Sequence, residues 1–303
     1  MKHLLKLLDC SKEEIKEILD LADQLKYERK HNIPHPYLAG KSIGLIFQKS
    51  STRTRVSFEA GIYQLGGQPL FLSSRDLQIG RGEPIQDTAR VLSRYLDGIM
   101  IRTYEQKEVE ELAKVGTIPI INGLTDFCHP CQVLADLMTI REKFGKLEGL
   151  KMCYIGDGNN MANSLIVGGL KMGMKVSVAT PNDHKPDSQV LEFAASKPNF
   201  FWTEDPIQAA VDADVVFTDT WASMGQEDEK EMRKKIFSGY QINDELMAVA
   251  KPGAMVQHCL PAYRGQEITE KIFEEHADEI FEEAENRLHA QKAVMVTLMA
   301  DHR

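Results

Sequence analysis

Short runs of apolar, β-branched-rich residues recur along the chain with helix-like segments between them, and no other feature restricts the fold as much. In the first half the runs are Ser42–Phe47, Pro69–Leu72, Gly98–Ile101 and Ile118–Ile121. In the second half they are Lys151–Ile155, Lys175–Ala179, Asn199–Trp202, Asp214–Thr218 and Ala254–His258. The apolar residues do not alternate with polar ones, as suits strands covered on both faces, and the intervening helices imply parallel pairing. The sequence has no fixed-period repeat and no low-complexity tract. It therefore predicts an α/β fold of two domains, each a mainly parallel sheet flanked by helices.

A chain of 303 residues is long enough for two such cores. The boundary falls in "KFGKLEGLK", where a helix ends near Gly145 and a strand begins at Lys151. This gives domains over 1–148 and 149–284. The segment from Glu285 to Met299 reads as a helix, and 285–303 is expected to pack back across the boundary onto the first domain. Loops at the carboxyl ends of the strands are expected to line a cleft between the halves.

The net charge of −9 argues against a general nucleic-acid binder, which needs clustered lysine and arginine, but leaves room for a small anion. The start "MKHLLKLLDCSKEE" turns charged after a few apolar residues, and nothing reaches the roughly 20 apolar residues of a membrane span. Cys10, Cys128, Cys131, Cys153 and Cys259 are odd in number and read as reduced thiols of a cytoplasmic protein.

Residues 50–55, "SSTRTR", put four hydroxyls and two arginines in consecutive positions between a strand and a helix. That helix carries Val56, Ala60 and Tyr63 on one stripe and Phe58, Ile62 and Leu65 on another. Ser51, Thr52, Arg53 and Thr54 thus fall at a helix N-terminus, where free N–H groups and the dipole favour an anion. Arg53 can pair with a phosphate through two hydrogen bonds. The glycines and lysine of a P-loop are missing, which argues against a nucleoside triphosphate.

"DFCHPCQVLADL" (126–137) starts another helix, with Pro130 in its first turn and His129 and Gln132 together at its head, both able to donate to an oxyanion. Cys128 and Cys131 form C-x-x-C, but no second pair completes a zinc site. "YIGDGNNMANS" (154–164) has the G-x-G of a dinucleotide turn, yet Met161 stands where the third glycine belongs. Asn159 and Asn160 are expected to be polar ligands for a carboxylate. "FTDTWASMGQEDE" (217–229) ends a strand at Asp219, which can bind an ammonium, and "MVQHCLPAYRGQEIT" (255–269) puts His258 and Cys259 at another strand end. "ENRLHAQKAVM" (285–295) places Arg287 on the last helix.

Together these motifs resemble the aspartate/ornithine carbamoyltransferase family over nearly the whole chain. "STRTR" and "HP-x-Q" mark the family, and "SMG" and "HCLP" its ornithine branch. The resemblance implies that carbamoyl phosphate binds Ser51, Thr52, Arg53 and Thr54, with charge from Arg102 and Arg287. It further implies carbamoyl contacts from His129, Gln132 and the backbone at Cys259 and Leu260. Ornithine would be held by Asn160, Asp219, Ser223 and the Met224 backbone. Arg102, His129, Asp219 and Cys259 would act in catalysis, with no metal or organic cofactor. Gln78, in "RDLQIG", would reach the neighbouring subunit's site of a homotrimer. Transfer to putrescine, acetylornithine or aspartate, the catabolic direction of the ornithine reaction (which uses the same residues), a dehydrogenase of similar form and a non-enzymatic anion binder are the alternatives.

Overall fold

In the computed structural model, residues 1–75, 77–78, 82–222 and 229–300 are described. The chain divides into two compact units, Met1–Ala135 with Arg287–Arg303, and Asp136–Asn286.

The strands of the first unit are β1 (Ser42–Phe47), β2 (Gln68–Ser73), β3 (Gly98–Arg102) and β4 (Ile120–Leu124). Its helices are α1 (Lys12–Lys30), α2 (Thr52–Gln64), α3 (Ile85–Leu92) and α4 (Gln106–Val115), and α5 (Pro130–Phe144) begins in it. The sheet is parallel in the order β2-β1-β3-β4. Its core joins Ile46, Ile99, Ile101, Val109, Leu112 and Ile120.

The second unit holds β5 (Lys151–Ile155), β6 (Lys175–Ala179), β7 (Phe200–Thr203), β8 (Val215–Thr218) and β9 (Met255–His258). They form a parallel sheet in the order β7-β6-β5-β8-β9. The helices are α6 (Asn160–Lys171), α7 (Ser188–Ala195), α8 (Pro206–Ala210), α9 (Lys230–Ile236), α10 (Asp244–Val249) and α11 (Glu270–Glu275). Ile155, Val216, Phe237, Val256 and Phe273 lie at its core. Helix α12 (Ala277–Met299) belongs to both units, with residues up to 286 grouped with the second and those from 287 with the first.

The strand order explains where the polar motifs lie. In each sheet the first strand has neighbours on both sides, one reached by a crossover in each direction, and such switch points open a crevice at the strand carboxyl ends. Between β1 and β3 that position receives the loop to α2 and Arg102. Between β5 and β8 it receives the loop to α6 and Asp219.

Four expectations shift. The run Ile118–Ile121 becomes a strand over Ile120–Leu124, because Pro119 has no N–H to give the ladder. Asn122 and Gly123 join β4 despite low strand propensity, since Asn122 Nδ2 donates to the Leu5 carbonyl at 2.8 Å and a Cβ on Gly123 would meet Met100 Sδ at 2.4 Å. Helix α12 starts at Ala277, not Glu285. Of the two apolar stripes on α2, Phe58 and Ile62 are buried and Leu65 is buried just beyond, whereas Val56 and Tyr63 are 57% and 79% exposed. Among the described residues, no helix is long and apolar enough to cross a membrane.

Candidate active-site residues in the two units

In the first unit, Ser51 is the N-cap of α2, and its Oγ accepts from the Thr54 N–H at 3.2 Å. The cap fixes the start of the helix and satisfies one of its first-turn donors, the Thr54 N–H. Thr54 is buried, and its Oγ1 accepts from Arg287 Nη2 at 3.2 Å. Arg287 Nη1 donates to Gln132 Oε1 at 2.7 Å, while Nε and Nη2 both donate to Gln291 Oε1 at 3.0 and 2.9 Å. Gln291 in turn donates to Ser57 Oγ at 2.7 Å, and Ser57 to the Arg53 carbonyl at 2.6 Å. Residues from α2, α5 and α12 are thereby tied into one polar cluster.

Arg102 at the end of β3 and His129 just before α5 are buried. Burial, then the charges of Arg287, Arg102 and Arg53, hold the His129 imidazole well below its ordinary pKa. The same charges place all three arginines near this ring. A ring kept neutral in that setting offers one N–H as an uncharged donor. The structure therefore brings together Arg53, Thr54, Arg102, His129, Gln132 and Arg287. Gln78 is exposed on its loop.

Cys128 and Cys131 are not a redox pair. Both are buried free thiols, and burial pushes each to about 12. Cys128 Sγ donates to the Leu5 carbonyl at 3.5 Å and Cys131 Sγ to the Asn122 carbonyl at 3.4 Å. A thiol with that pKa has almost no nucleophilic thiolate at neutral pH.

In the second unit the G-x-G turn is closed to a dinucleotide. Gly158 donates its N–H to the His184 carbonyl at 2.9 Å, and a Cβ there would meet the backbone of residues 184–186 at 2.3–2.4 Å. The second glycine admits this chain's own backbone where a pyrophosphate would need to approach.

Asn159 has a structural task that the sequence did not show. It is the N-cap of α6, and its Oδ1 accepts from Met161 N–H at 2.9 Å and Ala162 N–H at 3.2 Å. Its Nδ2 donates to Asp219 Oδ2 at 2.9 Å. Asp219 Oδ1 accepts from the Thr220 N–H at 2.7 Å and from Cys259 Sγ at 3.1 Å. Asn160 is half-buried as the first residue of α6. Ser223 and Met224 lie outside the described residues.

Desolvation, then Asp219 and Glu283, raise the Cys259 thiol well above its ordinary pKa, so it stays a protonated donor to Asp219. Leu260 has φ +58°, and its N–H donates to His258 Nδ1 at 2.9 Å. That bond fixes the proton on His258 Nε2, which faces Glu267 Oε1 at 2.9 Å. Asp219, His258 and Cys259 each bring a possible ligand atom within 4.8 Å of the others. With both ring nitrogens of His258 engaged, the trio is a poor metal site.

Sequence reading missed one residue, Gln291, and the contact that a second, Asn159, makes. Gln291 lies four positions after Arg287 on one helix, and that spacing was the available signal. The role of Asn159 rests on β5 and β8 being neighbours, which no local pattern reveals.

Comparison with known proteins follows the two units. Residues 2–142 match the family described as "Aspartate/ornithine carbamoyltransferase, carbamoyl-P binding domain", and 148–298 match its "Asp/Orn binding domain". The ornithine carbamoyltransferase of Oceanobacillus iheyensis is 55% identical over 99% of this chain and 95% of its own length. The structure of ornithine carbamoyltransferase from Pyrococcus furiosus superposes with a TM-score of 0.94 at 52% identity, covering 98% of this chain and 97% of that one. The anabolic ornithine carbamoyltransferase of Campylobacter jejuni superposes with a TM-score of 0.92 at 44% identity, over 98% and 99% of the two chains.

Proposed function

This chain belongs to the aspartate/ornithine carbamoyltransferase family, and from that premise we propose that it transfers the carbamoyl group of carbamoyl phosphate to the δ-amine of L-ornithine. The products are L-citrulline and phosphate, in the biosynthetic direction named for the Campylobacter relative. The observation that carries the reading is the neutral His129 among Arg53, Arg102 and Arg287, beside the N-terminus of α2.

That cluster suits a phosphate ester with a polar carbonyl next to it. Ser51, Thr52, Arg53 and Thr54, with Arg102 and Arg287, take the phosphate through N–H, hydroxyl and guanidinium donors. The neutral His129 and Gln132 address the carbamoyl oxygen and amide, with the backbone at Cys259 and Leu260 as a further contact. In the second unit, Asp219 takes the ornithine α-ammonium and Asn160 its carboxylate, with Ser223 and Met224 as further ligands.

The amine nitrogen bonds to the carbamoyl carbon, and the C–O bond to phosphate breaks with its electron pair on the leaving oxygen. Fixed donors at the carbonyl oxygen and the phosphate stabilise the charge that develops there. Cys259 is protonated and hydrogen-bonded, so it is no base; the departing phosphate carries off the amine proton. This chemistry uses no metal or organic cofactor.

For the assembly we propose a homotrimer, with Gln78 delivered to the adjacent site. Support comes from α2 and the edge strand β2, where Val56, Tyr63, Leu70 and Phe71 are exposed. The five free cysteines support a cytoplasmic location. The deciding experiment is citrulline formation from carbamoyl phosphate and ornithine by the purified chain. Phosphate binding without citrulline would leave only an anion binder.

A further inference from the structure

We propose that Asn159 is a positioning residue for the acceptor amino acid, acting by locking the Asp219 carboxylate. The inference deepens the reading that Asp219 binds the ornithine ammonium and rests on it.

The geometry leaves the Asn159 side chain one arrangement. Its Oδ1 faces two backbone donors at the head of α6, Met161 N–H at 2.9 Å and Ala162 N–H at 3.2 Å, and it also accepts from the Tyr154 hydroxyl at 3.3 Å. A flipped amide would set its NH₂ against those donors, so Nδ2 must point the other way. There it meets Asp219 Oδ2 at 2.9 Å.

Asp219 follows β8 and Asn159 lies four residues past the end of β5, so neighbouring strands deliver the pair to one sheet edge. The opposite carboxylate oxygen is held by the Thr220 N–H and the Cys259 thiol. Among the described residues, the Thr220 N–H and the Cys259 thiol restrain the carboxylate from Oδ1, and the Asn159 amide adds a separate restraint on Oδ2. A carboxylate held on both oxygens presents its remaining lone pairs in a fixed direction, which is what recognition of an ammonium requires. A helix cap alone calls equally for Ser, Thr, Asp or Asn. Among them Asn alone accepts and donates through two separate atoms, so that one end serves the cap while the other reaches the carboxylate.

Two substitutions separate the cap from the lock in the full-length protein. Asn159→Ser keeps a capping oxygen and loses the donor to Asp219. Asn159→Asp keeps the cap and sets a second carboxylate against the first. We expect Asn159→Ser to keep the wild-type Tm and, within about twofold, the KM for carbamoyl phosphate, while kcat/KM for ornithine falls at least about tenfold. Asn159→Asp should fall further, because it sets a second negative charge directly against the Asp219 carboxylate. Citrulline formation by the wild type in the same assay reports separately on the functional reading. Ornithine kcat/KM of Asn159→Ser within about twofold of wild type would overturn the proposal. So would a marked fall in its Tm or an equal loss of carbamoyl phosphate affinity, which would assign Asn159 to the scaffold.

Discussion

Arg287 Nη1 lies 2.7 Å from Gln132 Oε1, although 155 residues separate the two in sequence. Gln291 and Thr54 are also hydrogen-bonded to the same guanidinium, and all three are neutral. Neutral acceptors orient a guanidinium without themselves neutralising it.

Gln291→Glu tests that relationship. It keeps the shape of the side chain but sets a carboxylate against Arg287, neutralising charge intended for a phosphate. Inhibition by inorganic phosphate should weaken at least about tenfold, equal to about 1.4 kcal/mol of binding, with little change in Tm. Phosphate inhibition unchanged in a folded variant would remove Arg287 from the anion site.

Arg53 carries the strongest expectation of the "SSTRTR" segment. Arg53→Ala removes a paired donor to the phosphate and should lower kcat/KM for carbamoyl phosphate by more than about one hundredfold, or about 2.7 kcal/mol. Steady-state kinetics with the folded variant decide it; undiminished turnover would refute the assignment.

An acceptor preference follows from the proposed ornithine contacts of Asp219 and Asn160. Putrescine has no carboxylate for Asn160, and acetylornithine has no α-ammonium for Asp219. Each should show kcat/KM at least about a hundredfold below that of ornithine, since unpaired buried polar groups penalise an analogue that lacks the partner. Comparable efficiency with either compound would reassign the site.

How much of this could be read from the sequence depends on the range of the interaction. β1, β5 and β6 coincide with their expected spans because each is a compact apolar run buried on both faces. Ser51 as a cap and the helix start at Pro130 are local patterns and were legible for the same reason. The neutrality of His129 was not, because it arises from burial and from charges on α2, β3 and α12. Nor was the exposed stripe of Val56 and Tyr63, since an apolar stripe in sequence does not say whether the same chain covers it.

Stability should fall on the acid side of neutrality. Burial, then Lys292, Lys26, Lys30 and His35, lower His289 from 6.5 to about 3. Lys292 shares its helix, Lys26 and Lys30 come from α1, and His35, whose Nε2 is 2.9 Å from Lys292 Nζ, follows α1. Between about pH 6.5 and 3 the unfolded chain binds a proton at this position that the folded chain refuses, so the fold loses stability as pH falls through that window. At pH 5 the cost is about 2 kcal/mol. His289→Gln should flatten the decline in Tm between pH 7 and 5, with His129 supplying a further part of it by the same sign. An identical slope in the variant would show that His289 does not contribute.

The exposed face of the first unit tests the assembly. On α2, Val56 and Tyr63 share a stripe, and beside it the edge strand β2 exposes Leu70 and Phe71, with the Arg55 guanidinium 3.5 Å over the Phe71 ring. An edge strand and an apolar stripe left open together suit a second copy of the chain, and a head-to-tail contact repeated three times closes into a ring. Tyr63→Glu places a charge in that contact and should shift the proposed trimer from about 103 kDa, three times the 34.2 kDa chain, toward the monomer in light scattering. Shared sites require more than assembly. If Gln78 of one chain completes the site holding Arg53 of the next, Gln78→Ala and Arg53→Ala are each impaired alone, yet a mixture that exchanges subunits forms some sites with both residues intact. Activity should then reappear on mixing and be absent when either variant is mixed with itself. With exchange verified by mass and Gln78→Ala shown to be impaired, no recovery would place Gln78 in its own chain's site.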